Sequence, residues 1–142
     1  MKNTIISNLS YASDKLKKAG IILLIEAINT IDIPGFYLNT TKQAKEIINE
    51  VNSDNIFIQY DIYHMQIMEG NLSLTLRNNI EMIKHIQIAD HPGRNEPGTG
   101  EINYKYLFEF IDALGYEGWI GCEYVPAGTT VAGLDWITSY LN

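Results

Sequence analysis

The sequence predicts an α/β protein built from parallel βα units, and three observations predict it. Short β-branched runs (ILLIE, NIFIQYD, HIQIAD and GWIGCEY) alternate with longer amphipathic stretches, the pattern of strands joined by crossover helices. Those runs are apolar without strict alternation, as expected of strands in a sheet covered by helices. The chain has 142 residues, 46% hydrophobic and 19% charged, which suits one buried core. No linker or low-complexity segment divides residues 1–142, so they read as one domain.

Taken in order, Leu9 to Ala19 forms a helix with Asp14, Lys15, Lys17 and Lys18 on its polar face, stopped by Gly20. The first strand lies in GIILLIEAIN. Thr40 or Thr41 caps a helix to about Val51, and residues 55–61 form the second strand. A helix over about Leu72 to Ile83 leads into the third strand at 85–90. After a turn-rich loop, Asn103 caps the helix YKYLFEFIDAL, which Gly115 ends. Residues 118–124 make the last strand, and about Leu134 to Leu141 a final helix. The order is α, then βα four times, with right-handed crossovers. Such a sheet belongs either to an open doubly wound fold or to part of a (β/α)8 barrel, which needs about 250 residues when whole. Neither G-x-G-x-x-G nor G-x-x-x-x-G-K-[ST] occurs, so the common nucleotide-binding versions of the open fold lose support.

Composition narrows the function. A net charge of -7 argues against a nucleic-acid partner, whose phosphates call for clustered Lys and Arg. The single cysteine, Cys122, excludes a disulfide framework and a Cys-rich zinc module. No apolar run approaches the ~18 residues of a membrane span, and the N-terminus lacks the pattern of a signal peptide. The expectation is a soluble cytoplasmic chain with no membrane partner.

Each strand ends near one metal-capable side chain: Glu26, Asp61, Gln87 and Glu123, at spacings of 35, 26 and 36 residues. Parallel α/β proteins build their sites at these C-terminal strand ends. Alternation along a strand puts Glu26 on one face with Leu24, Asp61 with Gln59, and Gln87 with His85. One carboxylate at a strand end is ordinarily just solvated. Four polar ends in register, set in apolar runs, need a partner, and metal coordination supplies one. Three carboxylates and an amide form an oxygen-rich set suited to one divalent cation, Mg²⁺ or Mn²⁺.

His64, read as a loop residue after the second strand, is a candidate to hydrogen-bond substrate or move a proton. His85 reads as a packed core histidine, and His91 receives no role. In ADHPGRNEPGTGEINY, residues 89–104, Gly98 and Gly100 would let backbone N–H groups approach a ligand. Arg94, one of two arginines, has the fork that matches a substrate carboxylate. Cys122, on the face opposite Glu123, reads as a small buried hydrophobe. Trp119, Trp136 and the aromatics of YKYLFEF read as core.

Together IFIQYDIYHMQ, HIQIADHPGRNEPGTGEINY and GWIGCEYVPAG resemble the hydroxypyruvate isomerase family, within the sugar-isomerase and epimerase-like TIM barrels. The resemblance runs from about Leu9 to Trp136. It implies a (β/α)8 barrel with one divalent cation, held by Glu26, Asp61, Gln87 and Glu123. It implies further that Glu26 and Glu123 are the acid/base pair, that His64 contacts substrate, and that hydroxypyruvate and tartronate semialdehyde interconvert through an enediolate. Where the family is expected to show E-P-[LI]-N-x-R-D, this chain has EAINTID, with Ala27 for the proline and Ile31 for the arginine. That change leaves a related isomerase or epimerase, acting on another small oxo-acid or a ketose, as an alternative. The chain corresponds to the second half of the barrel, strands five to eight. It is therefore expected to pair with a second copy or a separately encoded N-terminal half, or to be an inactive half-barrel. A DNA-repair endonuclease of the same superfamily ranks last, because three histidines and a charge of -7 do not suit a multi-zinc site on DNA.

Overall fold

The computed structural model describes residues 1–140. The chain runs α1 (Lys2–Lys18), β1 (Leu23–Glu26), α2 (Thr41–Val51), β2 (Ile56–Asp61), α3 (Ile62–Met68) and α4 (Leu72–Asn79). A 3₁₀ turn (Ile80–Met82), β3 (Ile83–Ile88), α5 (Tyr104–Ala113), β4 (Trp119–Cys122) and a 3₁₀ segment (Ala132–Tyr140) follow. The four strands form one parallel sheet in the order β1-β2-β3-β4, each beside its sequence neighbour as successive βα units lay them down. This is a fragment of a TIM-barrel-like α/β architecture.

Helix starts follow from side-chain caps. Thr40 Oγ1 accepts the Gln43 N–H (3.2 Å) and Asn103 Oδ1 the Tyr106 N–H (3.2 Å), each satisfying a donor that the helix itself cannot. Ile25, Ile58, Tyr60, Ile86 and Ile88 form one core with Ala44 and Ile47 of α2, Leu76 of α4, and Leu107 and Ile111 of α5. At about 1.5–3 kcal/mol for each fully buried large apolar side chain, this layer holds the helices to the sheet. The other sheet face carries Leu24, Glu26, Phe57, Gln59, His85 and Gln87, all half-buried.

A register shift fixes which side chains reach that second face. Ile58 pairs with Ile83 but Gln59 with His85, so Lys84 is an extra residue on β3. A one-residue slip reverses the facing of every later side chain. The bulge thereby places Gln87 opposite Asp61 on the same face.

Several sequence expectations need correcting. α1 begins at Lys2, because Ile5 as well as Leu9 packs on the core. The helix expected to reach Ile83 stops at Asn79, and Ile83 opens β3, two residues before the strand was expected. α3 was not expected at all. The final helix is 3₁₀, and its expected last residue, Leu141, lies outside the described residues. Trp119 is 81% exposed and Cys122 is exposed, neither of them core, because β4 is a sheet edge. No described helix is long and apolar enough to cross a membrane.

Candidate active site

Strand ends supply the site. Glu26 closes β1, Asp61 closes β2, and Gln87 is the penultimate residue of β3. Glu123 follows β4, tied to the sheet by its N–H on the Ile88 carbonyl at 3.0 Å. Ligand atoms of Glu26, Asp61, His64 and Glu123 all lie within 4.8 Å of one another. Three of the four strand-end residues thus converge, and Gln87 stands beside them in register with Asp61.

Their electrostatics are strained. Burial, with Asp61 and Glu123 close by, pushes the Glu26 carboxyl up to about 7. Burial lifts Asp61 to about 6, against the opposing pull of the His64 and Tyr63 N–H groups. Those two N–H groups bind Asp61 Oδ1 (3.3 and 2.8 Å), which caps α3 and leaves Oδ2 turned toward the site. The Arg94 guanidinium reaches Glu123 Oε2 at 2.8 Å. Carboxylates held together at this cost are the donor set a hard divalent cation fits, since the ion offsets their repulsion and desolvation together.

His64 is not in a loop. It sits in the first turn of α3 and is 2% exposed, with burial holding its imidazole below the ordinary histidine value. Its Nε2 lies 3.6 Å from Asp61 Oδ2 and 3.9 Å from Glu26 Oε1. His85 is half-buried on the sheet's open face, where a Cβ on Gly121 would come within 2.8 Å of its Nε2. His91 pairs with Glu101 at 2.8 Å.

Sequence reasoning missed the residues that orient these groups. Gln59 Nε2 donates to Glu26 Oε2 (2.9 Å) and to Gln87 Oε1 (2.5 Å), joining two strand ends through the strand between them. Its inward-facing polar position beside Asp61 was the available signal. Asn29, Asp32 and Tyr63 form a further chain behind His64; nothing local in EAINTID points to it.

The loop after β3 is organised from within. Asp90, 1% exposed, accepts the N–H groups of His91 (2.9 Å), Gly98 (2.8 Å) and Ile102 (3.1 Å). A Cβ on Gly100 would lie 2.0 Å from the His91 carbonyl. These two glycines therefore serve the loop's own packing, a correction to the expected ligand cradle. Arg94 adopts φ 53°, accepts the Val125 N–H on its carbonyl (2.8 Å), and stacks 5.1 Å from the centre of the Tyr63 ring. That geometry sets its guanidinium at the rim of the carboxylate cluster.

The chain matches the family described as xylose isomerase-like TIM barrel over residues 1–140. It is 56% identical over 137 residues to the hydroxypyruvate isomerase of Escherichia coli, covering 96% of this chain and 53% of that protein. It is 49% identical over 139 residues to a 2-oxo-tetronate isomerase of Cupriavidus necator, covering 98% and 54%. A crystal structure titled as an AP endonuclease, family 2, from Brucella melitensis superposes with a TM-score of 0.95 at 42% identity, covering 99% of this chain and 55% of that one. The chain spans about half the length of the curated relatives it matches. On sequence and on fold alike, it belongs to the xylose isomerase-like TIM-barrel family.

Proposed function

We propose that this chain supplies the acid/base and cation-binding half of a metal-dependent isomerase that interconverts hydroxypyruvate and tartronate semialdehyde. The observation that carries the reading is the convergence of Glu26, Asp61 and Glu123 with His64 at the C-terminal strand ends, in a chain similar to named isomerases of small oxo-acids. Glu26, Asp61, Gln87 and Glu123 hold the cation, Mg²⁺ or Mn²⁺. When bound, the ion supplies Lewis-acid stabilisation of oxygen charge developing on neighbouring substrate carbons.

The chain's own residues do the rest. Glu26 turns Oε2 to Gln59 and Glu123 turns Oε2 to Arg94, and a carboxylate can hold the cation through one oxygen and leave the other free. Each glutamate so has a second oxygen for proton transfer, one removing a proton from the hydroxymethyl carbon and the other returning one to its neighbour. His64 directs Nε2 to the same space. Arg94, already turned toward the cluster, can exchange Glu123 for the substrate carboxylate.

The partner of this half is the remainder of the barrel, separately encoded or otherwise supplied, seated on the half-buried face around Leu24, Phe57 and His85. A second copy is less suited, because it would set another carboxylate cluster against this one. DNA cleavage, the activity that the name of one structural neighbour suggests for that protein, does not suit this site. A cluster of three carboxylates beside one histidine, in a chain of net charge -7, repels a phosphate backbone.

The test is conversion of hydroxypyruvate with Mg²⁺ or Mn²⁺, by the chain alone and together with a polypeptide supplying the other half. We expect metal-dependent turnover that falls about 10²–10⁴-fold in Glu26→Gln and in Glu123→Gln. Conversion of 2-oxo-tetronate at a much higher kcat/KM would reassign the substrate. Turnover untouched by both substitutions would refute the site.

A further inference from the structure

We propose that Asn29 is a positioning residue that fixes His64 as the Nε2–H tautomer, making His64 a hydrogen-bond donor into the site and not a metal ligand. The inference rests on the function proposed above only for what His64 donates to. Its basis is a hydrogen-bond arrangement that leaves one solution.

Asn29 is fully buried, and its amide cannot be turned over. Oδ1 accepts the backbone N–H groups of Ile31 (3.0 Å) and Asp32 (2.8 Å). Nδ2 donates to Asp32 Oδ2 (3.0 Å) and lies 2.7 Å from His64 Nδ1. A flipped amide would oppose its NH₂ to the Ile31 and Asp32 N–H donors and its oxygen to the Asp32 carboxylate, losing those three bonds for at most one from an Nδ1–H imidazole. Asp32 is itself held in place by the Tyr63 hydroxyl, which donates to Oδ2 at 2.9 Å.

The orientation of Asn29 dictates the state of the imidazole. Its side-chain NH₂ and its own backbone N–H (3.4 Å) both point at His64 Nδ1, so that nitrogen must present a lone pair. The ring proton then sits on Nε2, the atom facing Asp61 Oδ2 and Glu26 Oε1. A nitrogen that carries a proton cannot ligate a metal. Although His64 belongs to the cluster by distance, the cation falls to the oxygen donors, and His64 is left to donate to a substrate oxygen.

The experiment is a long-range ¹H–¹⁵N correlation spectrum of the metal-free chain labelled at histidine, with His64 assigned by loss of its signals in His64→Gln. The wild-type chain should show a protonated Nε2 and an unprotonated Nδ1, and addition of Mg²⁺ should leave the Nε2 proton in place. Asn29→Asp offers Nδ1 an acceptor where it had a donor, and should move the proton to Nδ1 or protonate both nitrogens. Asn29→Ala, with only the backbone N–H left, should give a mixture. A wild-type Nδ1–H tautomer, a Mg²⁺-dependent loss of the Nε2 proton, or a folded Asn29→Asp chain with an unchanged pattern would overturn the proposal. Should neither variant fold, the wild-type spectra with and without Mg²⁺ still decide it. Because these spectra need no turnover, a missing isomerase activity would count against the proposed function and leave this assignment standing.

Discussion

Glu26 and Asp61 are ionised only against the surrounding structure. Their carboxyls titrate near 7 and near 6, against about 4.3 and 3.9 in an unfolded chain. A raised value means that the folded state holds its proton longer. Their contribution to stability is therefore complete below about pH 4 and is lost as pH rises through about 6 and then 7. His64, held below its ordinary value, acts in the opposite sense below about pH 6.5, and one imidazole does not outweigh two carboxylates. We expect the melting temperature of the metal-free chain to fall between about pH 5 and 8, and saturating Mg²⁺ to remove most of that fall. Glu26→Gln should flatten its upper part. A melting temperature that climbs steadily across the same range would contradict this account. At this scale the sequence was partly legible. Glu26, Asp61, Gln87 and Glu123 announce themselves as polar ends of apolar runs. Gln59 shows only as a polar residue inside an apolar run and Asn29 not at all, because the site partners Glu26, Gln87 and His64 lie 28 to 35 residues from them and only the folded sheet brings them together.

Among the elements, the loop from Asp90 to Ile102 carries Arg94 to the rim of the site, and one buried carboxylate holds it. Asp90→Ala would leave the His91, Gly98 and Ile102 N–H groups without their acceptor, at a cost of about 2–4 kcal/mol. Urea unfolding should show that loss; one under about 0.5 kcal/mol, the level of an ordinary surface change, would mean that the loop is held by other contacts. The strands and most helices follow from β-branched runs, Thr40, Asn103 and Gly115. IYHMQIM carries no sequence signal of α3, because it follows a strand without a turn residue and its cap, Asp61, is also the last residue of that strand. The Lys84 bulge left no mark in composition, yet it sets Gln87 opposite Asp61.

For the whole molecule, the notable surface is the sheet face away from the helices. Trp119, 81% exposed, pairs with His85 across β3 and β4 and so shares its face. If the rest of a barrel seats there, mixing the chain with a polypeptide supplying that half should shift Trp119 emission to shorter wavelength, and Trp119→Phe should abolish the change. An unchanged spectrum with an otherwise saturated complex would place the partner elsewhere. The central claim, a cation held by oxygen ligands from separate strands, is tested most directly by calorimetric titration of Mn²⁺ into the chain. We expect one saturable ion per chain, with affinity reduced at least about 10-fold in Asp61→Asn and in Glu123→Gln and retained in His64→Gln. Absence of saturable binding, or binding of undiminished affinity in Asp61→Asn, would contradict it.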